Sequence, residues 1–394
     1  VPFAIYLLGL AVFAQGTSEF MLSGLTPDIA GDLRVSVPAA GTLTSAFAVG
    51  MVIGAPLMAI LSLRWPRRRA LLVFLIAFIV VHVVGALTTS FGVLLVTRVV
   101  GALATAGFLA VALATATATS MVGPNAKGRA AAVLLGGTTL ACIVGVPAGA
   151  VLGQLWTWRT AFWAVAVVSL PTVLAILRSV PAVAPDVAAP GARQELRTLR
   201  RPRLLVTLLL AALVNGATFC TFTYLAPVVT EVSGYDQAWV PVLLALFGLG
   251  SFVGVTVAGR TSDTRPTRVL LFGGAALLAG WLGFTLAADN AYAALVLVFV
   301  QGALSFAVGA TLITQVLYAA TDAPALGGSF ATAALNVGAA IGPLVGGATI
   351  SAGLGYRSPL WVSALLVALA FVVAGLAQAV RRAKPRPNQE VTVS

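Results

Sequence analysis

Four side chains in this sequence are suited to proton chemistry: Glu19, Asp28, His82 and Arg98. Three of them stand inside apolar runs. The run from Phe3 to Pro27 is apolar enough to cross a bilayer, yet it carries Gln15, Gly16, Thr17, Ser18 and Glu19 in succession. At 1.5 Å per residue, a span beginning at Phe3 puts Glu19 ~24 Å along its axis, past the midplane of a ~30 Å hydrocarbon layer. A carboxylate at that depth costs ~2.5–3.5 kcal/mol on insertion scales, and such groups normally face a bundle interior or a wet cavity. The chemistry on offer is reversible proton binding by Glu19. Arg98 lies ~10 Å into a run that starts near Phe91, a depth close to that of Glu19 from the same side. A nearby guanidinium favours an ionised carboxyl, and loss of water disfavours it. Two readings of Arg98 stand: a partner that tunes proton exchange at Glu19, or a side chain locked on an acid or on helix carbonyls. His82, among Ile79, Val80 and Val83, is either a proton relay or, as suits a lone histidine, a polar group hydrogen-bonded to a neighbouring helix. Asp28, beside Pro27, reads as a wet cap at the end of its run.

The elements that must position these groups follow from composition. The chain has 394 residues, of which 60% are hydrophobic and 9% charged, with a mean hydropathy of +1.04. No ordinary soluble domain is so apolar. The formal charge of +12 would suit nucleic acid only if the basic residues shared a folded face; here they fall in short gaps between apolar runs. Dividing the runs at charged and Gly/Pro clusters predicts twelve transmembrane helices, near residues 3–25, 39–61, 70–88, 91–113, 130–153, 160–178, 204–226, 239–259, 269–287, 292–316, 327–351 and 358–378. The gaps after even-numbered spans and the tail hold Arg64, Arg67, Arg68, Arg69, Lys127, Arg129, Arg178, Arg193, Arg197, Arg200, Arg201, Arg203, Arg260, Arg265, Arg268, Arg381, Arg382, Lys384 and Arg386. The opposite side holds only Arg34, Arg159 and Arg357. The positive-inside rule then places both termini in the cytoplasm of a multi-pass cell-membrane protein. No basic stretch or cleavage pattern precedes the first run, which is expected to be retained. Cys142 and Cys220 sit in apolar runs, as small packing residues rather than a disulfide framework.

The two halves repeat at a spacing near 200. Gln15-Gly16 recurs as Asn215-Gly216, Leu25-Thr26-Pro27 as Leu225-Ala226-Pro227, Ser62 and Arg68 as Ser262 and Arg268, and Trp158-Arg159 as Tyr356-Arg357. The expected organisation is a six-helix bundle over 1–178, a Pro-, Ala- and Arg-rich cytoplasmic linker over 179–203, a second six-helix bundle over 204–380, and a cytoplasmic tail over 381–394. Gly145, Pro147, Gly149 and Gly153 in the fifth span, and Gly338, Gly342, Pro343, Gly346 and Gly347 in the eleventh, mark helix faces that allow close approach. The prolines weaken the local ladder. Such a face serves either tight packing or a moving interface.

These residues carry a resemblance. Gly338-xxx-Gly342-Pro343-xx-Gly346-Gly347 resembles the antiporter motif of the major facilitator superfamily, and Gly145-Val-Pro147-Ala-Gly149 resembles a variant with the proline displaced by one. The stretch from Gly259 through Asp263 and Arg265 to Arg268 is similar to the superfamily's cytoplasmic-loop signature. Its first-half counterpart keeps Arg64, Arg67 and Arg68 but has Leu63 where the pattern has Asp, and Ala59 and Pro66 at its glycines. Arg98 followed by Gly101 resembles the fourth-span motif with its glycine one place early. Gln15-Gly16-Thr17-Ser18-Glu19-Phe20-Met21, Thr44-Ser-Ala-Phe-Ala-Val-Gly50 and Ala331-Thr-Ala-Ala-Leu-Asn336-Val-Gly338 look like the actinobacterial chloramphenicol exporters of the twelve-span drug:proton antiporter family. Sugar-efflux members carry a similar Thr-Ser-Glu-Phe stretch.

The ligand surface is expected from polar and aromatic side chains on cavity helices: Gln15, Thr17, Asn215, Phe219, Phe222, Tyr224, Gln301, Phe306, Gln315 and Asn336. Gln15 and Glu19 share one face by spacing, as do Asn215, Phe219 and Phe222. Each of these residues also suits plain packing or an interhelical hydrogen bond. Together, a mostly apolar pocket with a few polar groups fits an uncharged amphiphile. There is no phosphate-binding loop, no His/Cys/carboxylate cluster for a metal, and no nucleophile elbow. The resulting expectation is a non-enzymatic, cofactor-free antiporter. It would exchange protons for a small chloramphenicol-like drug by alternating access, working as a monomer in membrane lipid, with Glu19 and Arg98 coupling the proton. Sugar or amino-acid efflux in the same scaffold, or a transport-dead membrane receptor, are the alternatives.

Overall fold

In a computed structural model of the chain, residues 2–62, 65–116, 127–180, 197–320 and 327–383 are described. Leu63, Arg64, Arg193, Lys384, Arg386 and most of the expected linker and tail lie outside these residues, as do the side chains of Lys127, Arg129, Arg197, Arg200 and Arg381. The described residues contain helices and no strand, and twelve of the helices are long and apolar enough to cross a membrane. A hydrocarbon layer forces this outcome, because a spanning backbone must satisfy its own N–H and C=O groups.

The expected spans match the observed ones to within a few residues. They are Phe3–Phe20, Val37–Ser62, Arg67–Leu87, Phe91–Ala116, Lys127–Leu155, Trp158–Ser179, Pro202–Thr223, Val240–Thr261, Pro266–Ala287, Ala291–Ala319, Gly327–Leu354 and Ser358–Ala383. Local chemistry sets their ends. Pro202 and Pro241 occupy first turns, where the missing N–H is not needed. Asn290 caps the tenth span by accepting from the Ala293 amide at 3.1 Å. Gly353 and Gly355, with φ of 83° and 73°, turn the chain out of the eleventh.

The first span differs most from expectation. It breaks at Met21 and continues as a second helix, Leu22–Asp32. The seventh span does the same at Tyr224, continuing through Leu225–Pro227 and a widened turn over Val228–Val232. Pro227 leaves the Thr223 carbonyl, beside the Tyr224 break, without the N–H it would accept, and Pro27 does the same to the Ser23 carbonyl just past Met21. The first span and its continuation form a rod ~45 Å long. A ~30 Å hydrocarbon layer centred on that rod ends near Pro27, so Glu19 lies close to its middle and Asp28 beyond its edge.

Packing follows one scheme twice. In the first half the first span packs on the fifth and sixth, the second on the fourth, and the third on the fourth and sixth. In the second half the seventh packs on the eleventh and twelfth, the eighth on the tenth, and the ninth on the tenth and twelfth. Adding six to each number turns one set into the other, so the fold is two pseudo-symmetric six-helix bundles. Large buried side chains fill each bundle, Trp158, Phe162 and Phe78 in the first and Trp281, Phe284 and Leu277 in the second.

The halves meet along two crossings that the same operation exchanges, second span on eleventh and fifth on eighth. Glycine makes the closest approaches possible. Across the fifth–eighth crossing a Cβ on Gly248 would lie 2.3 Å from the Cys142 carbonyl oxygen, and inside the second bundle one on Gly342 would lie 2.2 Å from that of Gly216. Backbone cannot yield that far. Gly342→Ala should therefore destabilise the seventh–eleventh pair by about 1–3 kcal/mol, read as a lower thermal midpoint of the detergent-purified protein. Gly375→Ala, where a Cβ meets nothing within 4 Å, should leave that midpoint in place; equal effects from both would contradict this packing.

Candidate functional site

Glu19 is the next-to-last residue of the first span, two before the break at Met21, and keeps partial exposure. Among the described residues it accepts no hydrogen bond and forms no ion pair. Arg98 is close enough for its charge to act on the carboxyl, but its bonds go elsewhere. The guanidinium donates Nη1–H to the Ser18 hydroxyl at 2.9 Å and Nη2–H to the Ser18 carbonyl at 2.8 Å, with its carbon 4.5 Å from the Phe47 ring centroid. Among the described residues the Arg98 Nε–H has no partner.

Ser18 in turn meets His82. The Ser18 Oγ to His82 Nε2 distance is 2.6 Å, and His82 Nδ1 lies 2.7 Å from the Phe78 carbonyl. That carbonyl can only accept, so Nδ1 carries a proton and Nε2 of the neutral ring accepts the serine hydroxyl. His82 thus makes the hydrogen bond to a neighbouring helix expected of a lone histidine. The third and fourth spans press together here, with the Gly101 Cβ position 3.9 Å from the imidazole.

On the other side of Glu19 an aromatic series crosses from one half to the other. Phe20 lies 5.8 Å from Phe219, Phe219 6.1 Å from Phe222, Phe222 stacks on Phe247 at 4.6 Å, and Phe247 meets Phe306 edge-on at 6.2 Å. Phe219, Phe222 and Phe306 were expected in a ligand surface; Phe20 and Phe247 join them. Gln15, one turn before Glu19, is buried with neither amide atom partnered, and a partnerless amide is a group in search of a hydrogen bond.

The remaining expected ligand residues are held by their own bundle. Thr17 packs on the fifth span, where a Cβ on Gly145 would strike its hydroxyl. Asn215 donates to the Leu335 carbonyl at 2.7 Å, Tyr224 to that of Pro343 at 2.9 Å, and Asn336 to that of Thr332 at 3.0 Å. Gln301 turns toward the ninth span, donating to the Leu277 carbonyl at 3.3 Å. Gln315 is partly exposed.

Of the glycines and prolines expected at moving faces, Gly149 faces Met21 and Gly153 faces Leu25 and Asp28, so the fifth span seats the broken first. Gly338, Gly342 and Gly346 seat the seventh, and Pro147 falls just after a widened turn over Ala141–Gly145. At the end opposite Asp28, Asp263 accepts from the Tyr318 hydroxyl at 2.9 Å, Arg67 and Arg68 are half-buried, and Gly259 and Arg268 are exposed.

Asp28 is more than a solvated cap. Its carboxyl accepts from Gln237 of the other half at 3.4 Å, and Gln154 donates to the Gln237 carbonyl at 2.6 Å. These residues, with Gly153 and Ala238, line a cavity of about 360 Å³. Burial lifts the Asp28 carboxyl above the usual carboxylate range, and the bond from Gln237 draws it partly back. One turn on, the hydrogen bond from Arg159 at 2.5 Å holds Asp32 below that range.

The sequence profile of the Major Facilitator Superfamily matches residues 8–328, and the chain belongs to that family. It is 58% identical over 377 residues to the chloramphenicol resistance protein of Streptomyces lividans, which covers 95% of this chain and 96% of the relative. It is 34% identical over 373 residues to the inner membrane transport protein YdhP of Escherichia coli strain K12, covering 95% of each. Among solved structures, a bacterial homologue of the human lysosomal transporter Spinster, in an inward-facing and unoccupied conformation, superposes over 98% of both chains with a TM-score of 0.69 at 17% identity. That likeness is one of fold.

A carboxyl lifted above its ordinary value in one conformation favours that conformation at low pH and releases it as pH rises through the lifted value. The Asp28 contact between the halves should therefore close in acid and loosen as pH rises. Spin labels at Trp156→Cys and Tyr292→Cys, both exposed at this end, should show the short distance gaining population as pH falls. Asp28→Asn should flatten the response; a pH-independent distance in the parent protein would contradict it.

Proposed function

We propose that this chain exports a small, uncharged amphiphilic drug of the chloramphenicol type in exchange for protons, by alternating access of its two bundles. The observation that carries the reading is Glu19: a carboxyl near mid-depth, partly exposed, without an ion pair, and next to an aromatic series that bridges the halves. The name of the Streptomyces lividans relative supports the drug class.

In this mechanism Glu19 is the proton carrier and Arg98 sets the local field. Phe20, Phe219, Phe222, Phe247 and Phe306 offer rings for a nitroaromatic or similar apolar body, and Gln15 supplies a free amide. Drug and proton favour opposite states of the two bundles. One proton moving down 100 mV supplies ~2.3 kcal/mol, enough for a ~50-fold gradient of a neutral solute. The second–eleventh and fifth–eighth crossings are the surfaces about which the bundles would rock, with the glycine faces of the fifth and eleventh spans against the broken first and seventh. The basic gaps put both termini, the linker and the tail on the cytoplasmic side of the cell membrane, and one chain holds every group the mechanism uses.

The test is uptake of labelled chloramphenicol by inside-out vesicles with an imposed pH gradient. Uptake should collapse with an uncoupler and should be abolished in Glu19→Gln. Uptake that survives either treatment would refute proton antiport through Glu19, and displacement of the label by sugars rather than by drugs would move the substrate class.

A further inference from the structure

We propose that Ser18 and His82 form an anchor that parks Arg98 on the first span beside Glu19, leaving the Glu19 carboxyl unpaired and open to protons. His82 is then a positioning residue that acts through Ser18 and Arg98 and does not relay the transported proton. The inference rests on the reading of Glu19 as the proton carrier and adds the device that keeps it free.

The carbonyl that Arg98 holds at 2.8 Å belongs to the peptide leading into Glu19. The guanidinium is therefore bonded to the peptide next to the carboxyl, and its charge acts on Glu19, yet among the described residues no carboxylate oxygen lies within ion-pair distance of it. Something else must outbid the acid. A serine hydroxyl has one proton and two lone pairs, and with its proton committed elsewhere its lone pairs are left to face the guanidinium. His82 Nε2 at 2.6 Å accepts a hydrogen bond from that hydroxyl, and the Phe78 carbonyl fixes the tautomer that allows it. Donor direction thus runs from Arg98 to Ser18 to His82 to Phe78. Ser18, His82 and Arg98 are 0%, 2% and 2% exposed, so water does not compete for these bonds. Phe47 covers the guanidinium, and its unpartnered Nε–H leaves a donor for a second position.

Few other charges bear on Glu19. The fifth span contributes the Cys142 thiol, close enough to feel the carboxyl, and has Lys127 and Arg129 only in its first turn. The sixth carries Arg159 and Arg178 at its ends, the second carries no charged residue, and the seventh, which brings Phe219, has only Arg203 in its first turn. Where Arg98 sits therefore decides how readily Glu19 binds a proton.

Removing the anchor should send Arg98 to Glu19. An opposite charge in direct contact favours the ionised carboxyl by about 1–3 pH units, so proton binding would need a more acidic medium. The experiment is infrared titration of the Glu19 carboxyl band in the purified full-length protein, the band being assigned by its loss in Glu19→Gln. In both Ser18→Ala and His82→Ala the midpoint should fall by about one unit or more, and the pH profile of chloramphenicol export should move toward acid with it. His82→Gln, whose amide oxygen can accept the serine proton, should stay near the parent midpoint. An unchanged or raised midpoint in Ser18→Ala or His82→Ala, whichever is recovered folded, overturns the anchor. The titration needs no flux, so the two readings fail separately. A midpoint that falls while export ignores the pH gradient sinks the antiport reading alone, and pH-driven export with an unmoved midpoint sinks the anchor alone.

Discussion

A carboxyl group at mid-depth in a hydrocarbon layer must be paired, protonated or wet, because an isolated charge there is too costly to keep. Glu19 has no protein partner among the described residues and keeps some exposure. Its neighbours are arranged around that condition. Arg98, the cation able to neutralise it, is bonded to Ser18 instead. The helix carrying it breaks within two residues, at Met21, and the aromatic series to the second bundle begins at the next side chain, Phe20. Charge, helix break and aromatic series are thus contiguous, so a change in one reaches the others without a long path.

The two-fold scheme of packing supplies the frame. Each bundle buries its own large aromatic side chains, while the contacts between bundles run along the second–eleventh and fifth–eighth crossings. At the fifth–eighth crossing the backbones touch because Gly248 leaves room beside Cys142. The proline-linked breaks at Met21 and Tyr224 fall in the two spans that the fifth and eleventh seat. At one end Gln237 joins the bundles through two hydrogen bonds, accepting from Gln154 at 2.6 Å and donating to Asp28 at 3.4 Å.

Much of this was legible in the sequence, because the membrane imposes rules that composition obeys. Twelve runs of about twenty apolar residues gave the spans to within a few residues, the spacing of 200 gave the two bundles, and Glu19 and Arg98 stood out as charges where charges are rare. Depth along a helix can be counted; rotation about its axis cannot, since each residue turns the side chain by about 100°. That is why Gln301 was expected at a ligand surface and is found bonded to Leu277 of the ninth span, and why Asn215, Asn336 and Tyr224 are found on main-chain carbonyls. The partnership of Ser18 with Arg98 and His82 joins residues 80 and 64 positions apart. One serine in a polar stretch gives no hint of it. Phe47 was signalled, lying inside the second-span stretch that carried the family resemblance, but its role beneath Arg98 was not.

If drug and proton compete through Glu19, binding the drug must expel the proton even when nothing is transported. The most direct measurement is proton release on adding chloramphenicol to the purified protein in weakly buffered detergent at a pH where Glu19 is protonated, followed with an indicator dye. The account predicts release that saturates with drug occupancy and vanishes in Glu19→Gln with binding retained. Drug binding without proton release in the parent protein would contradict it.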